Sequence, residues 1–151
     1  MERLQFATLE AKGYEGYLLK EAPERVLQFG EGNFLRAFVE NFIDRMNEEA
    51  GFDAKVVLVQ PRGGHPEAAD RFGEQDGLYT LILRGRENGE PKELTRVISC
   101  VSRCLDPKRD WDKMLAYLLI CECKGNTFIL NMQIFDEKIY LYCVEHHMNI
   151  I

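Results

Sequence analysis

Apolar and polar positions change their period at one point near the start of the chain. Arg25 to Phe29, in which Val26, Leu27 and Phe29 are apolar, predict a short buried strand. From Asn33 the apolar residues fall at spacings of three and four, which predicts a helix to about Glu49. Lys55 to Gln60, β-branched and apolar, predicts a second buried strand. Strand, helix and strand occupy about 35 residues, the length of a βαβ unit with parallel strands.

The predicted helix has two faces of different character. One face is an apolar stripe made of Phe34, Leu35, Phe38, Val39, Phe42, Ile43 and Met46. Another face is formed by Arg36, Glu40, Asp44 and Glu48, which stand four residues apart. That spacing favours i,i+4 ion pairs along the helix. The pattern is typical of an amphipathic helix, and Gly51 is a suitable stop signal for it.

A short helix and a hairpin are predicted downstream. Pro66 suits a first helical position and Gly73 closes this helix. Leu78 to Leu83 predicts a third strand, and Asn88-Gly89 is the strongest hairpin signal in the chain. Glu93 to Leu105 is predicted as the partner strand of the hairpin.

Asp106-Pro107 predicts the N-cap and first position of another helix, which runs through Trp111 and Leu115. Composition shifts soon afterwards, so we divide the chain into three parts: residues 1–24 as a polar arm, residues 25–116 as an α/β domain, and residues 117–151 as a divergent tail. The tail is expected to add irregular or edge β structure. The fold class predicted is α/β, an incomplete Rossmann-like parallel sheet with a β-hairpin excursion.

Charge and composition narrow the function classes. The net charge is −6 with acidic and basic residues well mixed, which argues against a general nucleic-acid or membrane-surface binder. No apolar run reaches the length of a membrane span and no signal peptide is evident, so a cytoplasmic location is expected. Cys121-x-Cys123 and His146-His147 match neither of the spacings that zinc sites prefer, so no metal site is predicted.

The turn between the first strand and the first long helix carries the candidate chemistry. Gly30 permits a tight turn, and Gly32 removes a side chain where a pyrophosphate would approach the backbone. The N–H groups and dipole at the start of the helix favour an anion. Arg36 lies in the first helical turn, where a cation opposes the dipole. Its position is more favourable if an anionic ligand lies close by.

The dinucleotide-binding pattern is incomplete. The third glycine of G-x-G-x-x-G would fall at Leu35, and the small residue comes at Ala37 instead. No acidic residue ends the second strand to hold a ribose hydroxyl; Gln60 and Arg62 stand there. The alternative interpretation is a tight βα turn that uses two glycines without a ligand. The candidate cofactor-binding residues are Phe29, Gly30, Gly32, Asn33, Phe34, Arg36, Gln60 and Arg62.

Three segments also resemble a known family. They are "VLQFGEGNFLRAFVENFIDRMNE", "VVLVQPRGGHPEAADRFGEQDGLYTLILRGRENGE" and "RVISCVSRCLDP". Over about Arg25 to Leu115 they resemble the N-terminal part of the mannitol dehydrogenase family of polyol-specific long-chain dehydrogenases. The resemblance implies NAD as cofactor, bound at the Gly30–Gly32 turn. It also implies an NAD-linked interconversion of altronate and tagaturonate.

The resemblance ends near Ala116. The family continues with a "SNTTEAGI"-like segment, whereas this chain has "KGNTFILNMQIF". Family members carry the reaction on a Lys with Asn and His partners in a helical C-terminal domain, which we do not find in these residues. We therefore expect a tail of frameshift or truncation origin, no catalytic residue, and no turnover by the chain alone. The sugar-acid substrate would be met only in the full-length family. The alternative is a non-catalytic α/β module that binds a nucleotide or a protein.

Overall fold

The computed structural model describes residues 2–61, 63–124 and 128–131. The elements, in chain order, are α1 Phe6–Ala11, β1 Glu24–Phe29, α2 Asn33–Ala50, β2 Lys55–Val59, α3 Pro66–Glu74, β3 Tyr79–Glu87, β4 Glu90–Ile98, β5 Val101–Leu105, α4 Trp111–Lys124 and β6 Phe128–Asn131.

A parallel sheet forms the centre of the described structure. Its strand order is β5-β2-β1-β6, and each neighbouring pair is parallel. Leu27 of β1 lies opposite Val57 of β2, and α2 connects these two strands. The predicted parallel βαβ unit and incomplete Rossmann-like sheet are therefore confirmed.

Both faces of the sheet are covered. Leu27 and Val57 point to one face, where Met114 and Tyr117 of α4 join the same apolar cluster. Their sequence neighbours point to the other face, which is shared with residues of α2, α3 and the hairpin: Val26, Val56, Leu58, Ile43, Ala69 and Leu81. Coverage on both faces explains why these strands are almost continuously apolar.

The β-hairpin is present, but its second strand is shorter than predicted. Asn88 and Gly89 both have positive φ and join β3 to β4, as the hairpin signal indicated. The prediction of one strand from Glu93 to Leu105 is wrong, because β4 ends at Ile98 and β5 belongs to the parallel sheet. The break has a physical cause. The Ser99 N–H donates to the Asp44 carboxylate of α2 rather than to β3.

The predicted start of the last helix is also wrong. α4 begins at Trp111, not at Pro107. The Asp106 carboxylate accepts hydrogen bonds from the backbone N–H groups of Gly64 and Lys108, so it ties two loops together. A separate turn before the helix is closed by the Asp110 N–H donating to Asp106 O at 2.7 Å, and the bonds of α4 begin with the Met114 N–H donating to Asp110 O at 3.0 Å.

The N-terminal arm contains a helix that the aperiodic pattern did not predict. Leu9 of α1 is buried against Leu78 and Val97 at the base of the hairpin. Further along the arm, the Leu19 carbonyl accepts from the buried Lys55 ammonium at 2.7 Å. The arm is therefore packed on the domain.

α2 matches its predicted bounds and ends at Gly51 in the left-handed conformation. Its faces do not match the prediction. Phe34, Phe38, Phe42 and Met46 are 60, 52, 48 and 43% exposed, whereas Glu40 and Asp44 are 0% exposed. The prediction that Glu40 and Asp44 are spaced for i,i+4 ion pairs along the helix is therefore wrong. Their partners lie on β1 and at the hairpin, outside α2.

β6 is the only strand described in the predicted tail. It pairs in parallel with β1, with Phe128 opposite Val26, at the edge of the described sheet. Residues 132–151 lie outside the described residues, so the prediction for them stays a prediction. Among the residues described, no helix combines the length and apolar character needed to cross a membrane.

Candidate functional site

The turn after β1 is fixed by its first glycine. Gly30 has φ +112°, a conformation that L side chains rarely adopt. Its N–H donates to Val59 O at the end of β2, at 2.7 Å. A Cβ added at Gly30 would lie 2.9 Å from Leu35 Cδ1. Gly30 is therefore required by the fold itself, with or without a ligand.

Gly32 differs from Gly30 because the backbone does not require a glycine there. It is the N-cap residue of α2 with φ −64° and ψ 157°, which any residue adopts. No heavy atom lies within 4 Å of a Cβ added at this position. The space in front of the helix N-terminus is therefore open, as the close approach of a phosphate requires.

The N-terminus of α2 has no internal compensation for its positive end. No side chain caps it, and its first turn has no acidic residue. The first N–H groups of a helix have no intrahelical acceptor, and the dipole adds a partial positive charge there. An anion at this position would accept hydrogen bonds from these N–H groups and would compensate the partial positive charge.

A cleft of about 530 Å³ opens beside this terminus, between α2, α3 and the start of β3. The residues lining it are Glu31, Gly32, Asn33, Arg36, Ala68, Arg71, Phe72, Gln75, Leu78 and Tyr79. This set contains two arginines, Arg36 and Arg71, and one carboxylate, that of Glu31. The electrostatic balance of the cleft therefore favours an anionic ligand.

Arg36 is held in the cleft by aromatic rings. Its guanidinium carbon is 5.8 Å from the ring centroids of both Phe72 and Tyr79. Its Nη2 donates to Asn33 Oδ1, and the Tyr79 hydroxyl donates to Arg36 O at 2.7 Å. Its Nε is buried without a hydrogen-bond partner in the described structure.

The structure brings together only part of the predicted cofactor-binding set. Gly32, Asn33 and Arg36 line the cleft, and Gly30 forms the turn behind it. The Phe29 side chain packs in the core, and Phe34 is largely exposed outside the cleft lining.

The two candidates after β2 have a different setting. Gln60 is 2% exposed and its Nε2 donates to His65 O at 3.0 Å, so it supports the loop. Its Oε1 is buried without a partner in the described residues. Arg62 lies outside the described residues, as do His146 and His147.

Sequence reasoning missed the wall of the cleft that α3 provides. Ala68, Arg71 and Phe72 of α3, and Gln75 at its C-cap, line the cleft at spacings of three and four. That spacing was visible in the sequence as one face of the short helix. Tyr79 of β3 also lines the cleft and was not among the predicted site residues.

Cys100 and Cys104 are both free thiols in the interior. Burial raises the pKa of the Cys104 thiol to about 12 and that of Cys100 well above its ordinary value. Thiols of this kind are poor nucleophiles at neutral pH. Across the described ranges, no group of three or more His, Cys, Asp or Glu side chains is placed to hold a metal ion.

Comparison with known proteins identifies relatives for most of the chain. Residues 24–129 match the family described as the mannitol dehydrogenase Rossmann domain. The chain is 41% identical over 115 residues to an altronate oxidoreductase of Halalkalibacterium halodurans, and 42% identical over 109 residues to one of Bacillus subtilis. These matches cover 76% and 72% of this chain and 22% of each relative. The chain therefore spans about a fifth of the length of these relatives.

Two solved structures share the fold. A ternary complex of Pseudomonas fluorescens mannitol 2-dehydrogenase with NAD and D-mannitol is similar at a TM-score of 0.68 and 23% identity, over 85% of this chain and 26% of that one. A substrate-free D-sorbitol dehydrogenase is similar at a TM-score of 0.61 and 24% identity, over 75% and 22% of the two chains. Both support the Rossmann architecture.

Proposed function

The chain belongs to the mannitol dehydrogenase family, and we propose that it supplies the NAD-binding part of an altronate oxidoreductase. In this proposal the pyrophosphate lies in front of the α2 N-terminus, beside Gly32 and Asn33. Arg36 compensates part of its charge. NAD is named in the complex of the mannitol 2-dehydrogenase that shares the fold.

One observation carries the proposal most directly. Gly32 faces open space at an uncapped helix terminus although its backbone would accept any residue. A glycine without a backbone reason is explained by a ligand that must approach the main chain. Arg36 and Arg71 on the adjacent cleft wall fit an anionic ligand of this kind.

The remaining candidates are proposed as secondary contacts. Gln60 has a free buried oxygen at the carboxyl end of β2, where a dinucleotide's adenosine ribose lies in Rossmann folds. Arg62 follows it in sequence. The sugar-acid substrate, tagaturonate or altronate, is proposed for the full-length relatives, and this chain is proposed to contribute the cofactor rather than the catalytic groups.

The test is a titration of NADH by fluorescence against matched glycine variants. Wild type should bind weakly, with millimolar affinity or about −4 kcal/mol, since the proposed contacts are confined to one end of the cofactor. Gly32→Val should abolish binding, because the branched side chain fills the space of the phosphate. Arg36→Ala should weaken it less, since the backbone donors remain.

Gly85→Val is the matched control. Gly85 also has an ordinary φ and open space around a Cβ, but it lies on the hairpin strand β3, outside the cleft lining. The Gly85→Val variant should bind NADH with the same affinity as wild type. Equal binding by all the variants would show that the glycine turn is only a turn.

In that case the alternative function, a protein-binding module, would gain support from a separate observation. Phe34, Phe38 and Phe42 form a continuous exposed aromatic row on α2, with ring centroids 5.5 and 4.7 Å apart. Exposed apolar patches of this kind mark interaction sites in other proteins.

A further inference from the structure

Two buried polar side chains lie directly beneath the glycine turn. Gln28 of β1 and Glu40 of α2 are both 0% exposed. Gln28 Nε2 donates to Gly30 O and to Glu40 Oε1, each at 2.8 Å. Because the Gly30 N–H is bonded to Val59 O, both polar groups of Gly30 are held. Gln28 thus connects the turn to the second turn of the helix that follows it.

The hydrogen bonds of this network use the Gln28 nitrogen and one of the two Glu40 oxygens. Glu40 Oε2 and Gln28 Oε1 are buried without partners in the described residues. A buried carboxylate with an unpaired oxygen is costly, and protonation lowers that cost because it removes the charge. Burial accordingly raises the pKa of Glu40 to about 7, although the Gln28 hydrogen bond and the Arg36 charge lower it.

Several ionisable groups surround Glu40. Arg36 and Asp44 lie one helical turn away on α2, on either side of it. Tyr79 approaches from β3, and Cys100 from the link between β4 and β5, where its thiol contacts Glu40 O at 3.3 Å. Burial raises the pKa of both Tyr79 and Cys100, so both are neutral at pH 7. Arg36 is the nearby cation that would respond to an ionised Glu40.

We infer that Glu40 is a positioning residue for the phosphate-binding turn: as the neutral acid it holds Gln28 against Gly30 O and leaves the Arg36 guanidinium to the cleft. When Glu40 loses its proton, its free Oε2 and the unpartnered Arg36 Nε attract each other across one helical turn. The ionised carboxylate then offsets part of the Arg36 charge that an anion in the cleft would meet. The identity of the anion in this inference rests on the proposed function. The hydrogen bonds beneath the glycine turn do not depend on it.

The experiment measures NADH affinity between pH 5.5 and 8.5 for wild type and Glu40→Gln. Wild-type binding should weaken by at least about threefold as the pH rises through 7, because the ligand and an ionised Glu40 oppose each other. Glu40→Gln keeps the acceptor for Gln28 and cannot ionise, so its affinity should be the same across the range. His65→Gln is the control for the exposed histidine near the loop, and it should keep the wild-type pH dependence.

A second readout needs no ligand. The backbone amide NMR signals of Gly30 and Gly32 should shift with pH about a midpoint near 7 in wild type and stay constant in Glu40→Gln. Amide signals that do not titrate, or that titrate equally in Glu40→Gln, would overturn the inference. Absence of NADH binding at every pH would instead overturn the proposed function, and the amide signals would still decide the role of Glu40.

Discussion

The two faces of α2 depart from the usual arrangement of a surface helix. The outer face shows an aromatic row of Phe34, Phe38 and Phe42, each about half exposed or more. The inner face buries Glu40 and Asp44 completely. Surface helices normally turn their apolar stripe to the core and their charges to water.

This departure is explained by what each inner acid contacts. Asp44 Oδ1 accepts from Ser99 N–H and Oγ at 2.8 and 3.1 Å, and its Oδ2 accepts from the Arg96 guanidinium. Glu40 accepts from Gln28 beneath the glycine turn. Each buried acid therefore fixes α2 to a different neighbour, the hairpin end or the ligand-binding turn. Polar groups buried with partners of this kind specify one arrangement of elements.

The largest effect is expected from Asp44→Ala. Removing the carboxylate leaves the buried Ser99 N–H without its acceptor, and Arg96, which is 18% exposed, keeps only Glu48 as a carboxylate partner. Breaking a buried pair in this way costs about 3 to 5 kcal/mol of unfolding free energy. Urea denaturation followed by circular dichroism would measure it.

Glu48→Ala is the matched control, since Glu48 pairs with the same Arg96 at 2.7 Å but is 38% exposed. A surface pair of this kind contributes at most about 1 kcal/mol. If both substitutions lowered the unfolding free energy equally, burial of the Asp44 carboxylate would add nothing to stability. The contrast between the two faces of α2 would then be wrong.

A smaller effect, dependent on pH, is expected at Glu40. Its pKa rises from 4.5 to about 7 on folding, so between these values the folded chain holds a proton that the unfolded chain has released. Stability therefore falls as pH rises through this window, by up to about 3 kcal/mol, and is constant above it. Glu40→Gln should remove this part of the pH dependence.

The measurement compares unfolding free energies at pH 5 and pH 8 for both proteins. Other groups titrate in the same range, so the quantity of interest is the difference between the two pH dependences. Identical pH dependences would mean that Glu40 ionises normally in the folded state.

Much of the fold could be predicted because it depends on local patterns. The change of period at Gly30–Gly32, the apolar strand at Lys55 to Gln60 and the Asn88-Gly89 turn each correspond to an element in the structure. The failures come from distant partners. Ser99 interrupts the predicted strand because it bonds to Asp44, which lies 55 residues earlier in the chain. Periodicity contains no information about such pairs.

The candidate site shows the same division. Gly30, Gly32 and Arg36 lie within seven residues, so their proximity could be predicted from the sequence. Arg71 and Phe72 reach the cleft only through the packing of α3 beside α2, which no local signal encodes. The buried partnership of Gln28 and Glu40 was missed because a Glu at i,i+4 from an Arg is typical of an exposed ion pair.

The smallest effect is expected on the outer face of α2. Phe42 is 48% exposed and its ring contacts Phe38 edge to face, so Phe42→Ala should cost less than about 1 kcal/mol. Its neighbour Ile43 is 7% exposed and packs against the sheet, so Ile43→Ala should cost about 2 to 4 kcal/mol. Urea denaturation of the two variants compares adjacent positions of one helix under identical conditions. Equal losses would indicate that the aromatic row is covered in solution, and α2 would then have two buried faces rather than one.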